Sequence, residues 1–214
     1  MAVCEDATTP TFATIIAAYR ERCPNVALDL FEMPSAMQAS ALRRGDIDAG
    51  LLPPPVQGTG IQCEELWRED WLVVMPTGHR LKRLSVVETA DLAHENFITA
   101  HPEFGPGCHH QTHEMFLSAG IAPPIVAYAF RRLTMTMLVQ SGTGVTLVPG
   151  AFAGSAARAR SAAHDHGEDP ARIGPAAIVG FGGAEGGISA GHVAVFSSLP
   201  SRLQRHTAAI SHKR

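Results

Sequence analysis

Apolar positions in the first fifty residues follow two different periods. Phe12, Ile15, Ile16 and Tyr19 recur at three- and four-residue spacing, which predicts a helix over 11–22 with these four side chains on its buried face. Pro10 suits the first helical turn, and Thr8 or Thr9 the N-cap. Beyond Cys23-Pro24-Asn25, the run 26–32 is apolar and β-prone and reads as a strand. A second helix is predicted over 36–44, capped by Ser35 after Pro34. Arg43 and Arg44 lie at its end, where the helix dipole favours cations, and Gly45 stands where a left-handed C-cap is expected. The apolar run 47–52 then reads as a short buried strand of a parallel sheet. Such an α-β-α-β series predicts a doubly wound α/β sheet.

The pattern continues beyond Pro53-Pro54-Pro55. A strand over 71–75 stops at Pro76, and a short helix over 91–93 precedes a strand over 96–100. Gly105-Pro106-Gly107 breaks the chain before a helix over about 109–119, closed by Gly120 and Pro123-Pro124. A strand over 125–130, a helix over 133–140 and a strand over 144–148 follow. Residues 151–175 are rich in Ala, Arg and His without a period, which predicts a loop or frayed helix. Gly180, Gly182, Gly183, Gly186, Gly187 and Gly191 then interrupt what should be strands. A strand over 192–196 and a closing helix over 200–210 complete the expectation.

Composition narrows the function classes. The chain has 214 residues, 45% hydrophobic and 17% charged, with a net charge of −3. That suits a globular core and leaves no basic stripe for nucleic acid. No apolar window is long enough to span a bilayer, and Glu5 and Asp6 follow the start too closely for a secretory signal. The four cysteines are scattered and are expected to be reduced thiols in a cytoplasmic protein. No G-x-S-x-G, Walker loop or G-x-G-x-x-G occurs, so no enzyme is expected and no cofactor is called for.

Four stretches together resemble a known family: F-x6-YRERCPNVALDLFE at 12–32, LRRGDIDAGLL at 42–52, EELWREDWLVVMPTGHRL at 64–81 and LVQSGTGVTLVPGA at 138–151. Their order and spacing resemble the regulatory domain of LysR-type transcriptional regulators. The resemblance covers 1 to about 150 and resumes more weakly at 176–210. It implies a fold of the periplasmic-binding-protein type 2, with two doubly wound α/β subdomains joined by two crossovers. The expected division is 1–69 plus 185–214 for the first and 70–184 for the second. It further implies a small-molecule effector in the cleft between them and a homodimer. In the family a winged helix-turn-helix precedes this region; none is expected within these residues, so DNA would be reached only through a domain missing from this chain.

Candidate ligand contacts sit at strand carboxyl ends, where open α/β sheets bind. Met1 to Cys4 reads as the tail of a first strand, and Asp6, Thr8 and Thr9 follow it at a helix N-terminus that favours anions. In the family a hydroxyl here often helps hold an effector carboxylate. Asp6 falls on one such position and would repel an anion, so Thr8 and Thr9 take over or the ligand is neutral or cationic. Ser35 falls where the family often has a ligand-contacting hydroxyl. Pro53 stands where some members that bind aromatic acids carry arginine, a second departure. On the other subdomain, Thr99 and His101 would face the cleft, in a loop running to Cys108. Arg131 and Thr134 follow the 125–130 strand, and Arg131 or Arg132 is the only cation expected near the ligand. For each of these, a helix cap, a solvated loop or a surface ion pair is the plainer role.

Cys108-His109-His110-x-x-His113 is the sharpest feature outside the resemblance. His109 and His113, four apart on a helix, have a spacing that can chelate Zn2+ or Ni2+. A solvated, histidine-rich helix start is the plainer reading, and no metal is assigned. A periplasmic-type solute-binding protein, and less so a metal-binding protein using that cluster, are the rival readings.

Overall fold

In a computed structural model of the chain, the structure describes residues 1–56, 59–152, 176–182 and 190–197, the last two as backbone. Eleven strands and four α-helices follow one another among them. They are β1 (Ala2–Val3), α1 (Pro10–Arg22), β2 (Phe31–Glu32), α2 (Ser35–Arg44), β3 (Ala49–Leu52), β4 (Ile61–Glu69), β5 (Trp71–Pro76) and β6 (Val86–Glu88). Then come β7 (Phe97–Ala100), α3 (Pro106–Ser118), β8 (Ile125–Ala129), α4 (Arg132–Gln140), β9 (Thr146–Pro149), β10 (Ala176–Gly182) and β11 (Ala190–Ser197).

These strands build two lobes. The first sheet has the order β2-β1-β3-β11-β4, and β1 pairs in parallel with both β2 and β3. The second has the order β6-β10-β5-β9. The parallel pair β7-β8 continues it: Ile98 N–H donates to the Val145 carbonyl and Val145 N–H to that of Asn96, both at 2.8 Å. Both sheets are mixed, because β11 runs antiparallel to β3 and β4, and β5 runs antiparallel to β9 and β10. The chain leaves the first sheet for the second at Asp70, and β11 belongs to the first sheet again. At the first passage the Asp70 carbonyl accepts the Gly150 N–H at 2.7 Å.

Each lobe has its own core. Leu42, Ile47, Leu51, Leu52 and Trp67 anchor the first. Phe97 and Phe116, edge to face at 4.8 Å, join Trp71, Val73 and Leu147 in the second.

Several elements depart from the periodicity. The strand expected over 26–32 shrinks to Phe31–Glu32, because β1, its only partner among the described residues, offers two residues. Val26 and Leu30 are left exposed. Ser35 is the first helical residue of α2 rather than its cap; Pro34 takes the N-cap position. Helix α3 starts a turn early, with Pro106 in the first turn where the missing N–H costs nothing. No α1 residue is fully buried. Strands β4 and β6 were not anticipated. Gly180 and Gly182 do not break β10: Gly180 is paired with both β5 and β6, and Gly182 with β6. Gly45 does adopt the left-handed conformation, with φ 76°. The expectations for 153–175 and 200–210 lie outside the described residues.

Gly144 has no room for a side chain, because a Cβ there would overlap the Asn96 carbonyl where β9 meets β7. Gly144→Ala is therefore expected to destabilise the chain by about 1–3 kcal/mol in urea unfolding. Gly78→Ala, where nothing lies within 4 Å, should leave the midpoint nearly unchanged.

Candidate functional site: the cleft between the lobes

The strand carboxyl ends of the two lobes face each other. From the first lobe come the 3-10 turn Glu5–Ala7 after β1, the Met33-Pro34-Ser35 link after β2, and Pro53 after β3. From the second come the loop after β7 and Phe130-Arg131-Arg132 after β8. Across this interface Arg132 Nη2 binds Asp6 Oδ1 at 2.6 Å. The Arg132 side chain is 5% exposed and that of Asp6 18%. Burial works against the Arg132 charge, but Asp6, helped by Cys108 and Glu5, outweighs it and holds the guanidinium protonated. The same Nη2 donates to Cys108 Sγ at 3.2 Å. Burial, with Asp6 next, pushes the Cys108 thiol well up, and burial does the same to Cys4.

Glu5 completes a second polar link. Arg132 is the first residue of α4, whose opening N–H groups have no partner within the helix. Glu5 takes up the Arg132 backbone N–H. Burial, then the neighbouring Asp6 charge, raises the Glu5 carboxyl, against the pull of that N–H and of Arg132 and Arg131. Further out, Arg131 Nη1 lies 3.7 Å from Glu32 Oε1, a pair more than half exposed and worth little. Gln111 donates to the Pro54 carbonyl at 3.0 Å. Gly107 packs against the Pro53 carbonyl so closely that any Cβ would clash.

Two cavities open between these contacts, and a third lies inside the second lobe. One of about 230 Å3 is bounded by Glu5, Asp6, Glu32, Phe104, Phe130 and Arg131. A larger one of about 440 Å3 lies beside Pro53, Pro55, Pro102, His109 and His110. Ser35 borders both, is 5% exposed, and makes no side-chain hydrogen bond among the described residues. The interior cavity, about 10 Å3, is bordered by Trp71, Thr99, Cys108 and Arg132 and has room for about one water-sized group. Trp71 Nε1 and Arg132 Nε have no hydrogen-bond partner among the described residues.

The candidate residues are thus divided. Asp6, Ser35 and Arg131 border the smaller cleft cavity, and Pro53 the larger. Thr8 donates to the Cys4 carbonyl, and Thr9 caps α1 by accepting the Phe12 N–H. Thr99 and Cys108 are buried against the interior cavity rather than the cleft. His101 borders none of the three; its ring lies against Phe104 and Tyr128, and its Nδ1 accepts the Glu103 N–H. Thr134 is exposed on α4. His109 and His113 stack at 6.3 Å, His109 Nδ1 lies 3.1 Å from the Ala100 carbonyl oxygen, and among the described residues no three ligating groups converge on a metal position.

Sequence reasoning missed Glu32, Phe104 and Phe130, placed Glu5 in the candidate loop without a role, and did not choose between the two arginines. The choice was legible: Arg132, Met135 and Val139 share one helical stripe, and all three are buried.

The family description "LysR substrate binding domain" matches residues 1–173. The chain belongs to this family. Among relatives of this LysR substrate-binding domain, it is 32% identical over 135 residues to the HTH-type transcriptional regulator AlsR of Bacillus subtilis, covering 63% of this chain and 45% of AlsR. It is 31% identical to the Hca operon transcriptional activator HcaR of Escherichia coli, covering 64% of this chain and 46% of HcaR. The solved BenM effector-binding domain with its effector benzoate superimposes with a TM-score of 0.75 at 18% identity, covering all of this chain and 93% of that one. The chain therefore spans about half the length of the curated relatives it matches, and the family is one of transcriptional regulators rather than enzymes. No helix of the described residues is long and apolar enough to cross a membrane.

Removing one partner of a buried ion pair strands the other. Asp6→Asn is expected to cost up to about 3–5 kcal/mol in urea unfolding. Adding Arg132→Met to Asp6→Asn should recover most of that loss, since the stranded charge is then gone too.

Proposed function

We propose that this LysR substrate-binding domain is the effector-sensing part of a cytoplasmic transcriptional regulator. A small molecule sits between a lobe of 1–69 plus 185–214 and a lobe of 70–184, and its binding shifts the balance between degrees of closure. The observation that carries this reading is the pair of cavities at the strand carboxyl ends, bordered from both lobes and both touching the Ser35 hydroxyl. The relatives' names, AlsR as an HTH-type regulator and BenM with a bound effector, support the same role. In that role the signal reaches DNA through a helix-turn-helix domain outside this chain, and Asp6, Ser35, Pro53 and Arg131 are the ligand-facing residues.

Helix α1 supports a homodimer. Phe12, Ile15, Ile16 and Tyr19 lie on one stripe; Phe12 and Ile15 pack against the first core, yet all four remain partly exposed. Sedimentation equilibrium is expected to show a dimer that Ile16→Asp dissociates; a monomeric parent chain would count against this arrangement.

The sensing role is tested by thermal melting against aromatic acids, amino acids, amines and sugars. A ligand that binds only the folded state at a hundredfold excess over its Kd should raise the midpoint by about 5–10 °C. Ser35→Ala is expected to shrink that rise. A panel in which no organic class moves the midpoint would speak against effector sensing by this cleft.

A further inference from the structure

The groups that would hold an anion in this cleft are already engaged by the protein itself. Arg132 is taken by Asp6 at 2.6 Å, the Arg132 backbone N–H by Glu5, and Arg131 by Glu32 at 3.7 Å. Arg131 also lies over the Phe130 ring, 5.7 Å from its centroid. Three carboxylates thus line the 230 Å3 cavity against one guanidinium, that of Arg131, with Arg132 behind Asp6; among the described residues Glu5 is the carboxylate with no ion pair of its own.

The rest of the wall has the opposite preference. Phe104 and Phe130 meet edge to face at 5.5 Å and stay 48% and 45% exposed, presenting ring surface that the fold does not cover. Ring faces attract cations, most strongly where water is thinned. The buried Ser35 hydroxyl, without a hydrogen bond among the described residues, borders the same space and is independent of the charges. An entering cation would relieve the cost of desolvating Glu5 next to Asp6, whereas an entering carboxylate would meet both at close range.

We propose that the cleft selects an organic cation, a primary amine or quaternary ammonium on a small apolar body, held between Glu5 and the Phe104–Phe130 pair. This rests on the effector-sensing reading above and narrows it to one ligand class.

The test uses probes alike in shape and opposite in charge. Melting of the chain is followed at pH 7 with benzylamine, choline and benzoate, at ionic strength matched by potassium chloride. Benzylamine or choline is expected to raise the midpoint in proportion to the logarithm of concentration, and benzoate to leave it unmoved. Glu5→Gln keeps an oxygen for the Arg132 N–H and should abolish the rise; Phe104→Ala should reduce it. If Glu5→Gln fails to fold, Glu32→Gln, which is exposed, is expected to weaken the amine response instead. A rise with benzoate but not with the amines overturns the cation assignment and leaves the sensing role standing. Silence from all three probes also overturns it, while the wider panel judges the sensing role separately. An amine response that survives both Glu5→Gln and Phe104→Ala overturns the proposed seat.

Discussion

The charge pair between Asp6 and Arg132 is the constraint around which the cleft is arranged. A guanidinium this buried needs a permanent anion, and in this fold the nearest one belongs to the other lobe. Stability and closure are therefore coupled: separating the lobes would expose or orphan both charges. The backbone at Glu5 follows from the same fact. With Asp6 committed to Arg132, its neighbour is carried to the start of α4, where an unpartnered N–H awaits a carboxylate oxygen.

Shape reinforces charge. The contact of Gly107 with Pro53 and the Gln111–Pro54 hydrogen bond bring backbone to backbone on the other side of the cleft. The space between the lobes is thereby divided into two cavities, with Ser35 at the boundary. One side is acidic and aromatic, the other walled by proline rings. A ligand is read by whichever compartment matches its charge and bulk, not by an undivided groove.

Most of the architecture was legible because it depends on local rules. Thr9 and Gly45 mark the ends of α1 and α2 through capping and left-handed geometry. The fragment spacings carried the family resemblance and, with it, the two-lobed fold. What was not legible depends on partners distant in sequence. The length of β2 is set by β1, and β4 is a strand because β11 pairs with it. Asp6 was recognised as out of place for an anion site, yet its partner lies 126 positions away, and no local period connects them. Phe104 and Phe130 looked like ordinary loop residues until the fold brought their rings together.

The passage at Asp70 also has a mechanical meaning. Its carbonyl is tied to Gly150 of the second lobe, and Glu69 just before it accepts the N–H groups of Trp67 and Ala151. The connecting strand is thus clamped on its second-lobe side and cannot swivel freely there. Ahead of the clamp β4 is paired with β11 as far as Glu69, so this passage is gripped from both lobes rather than hung on a loose tether.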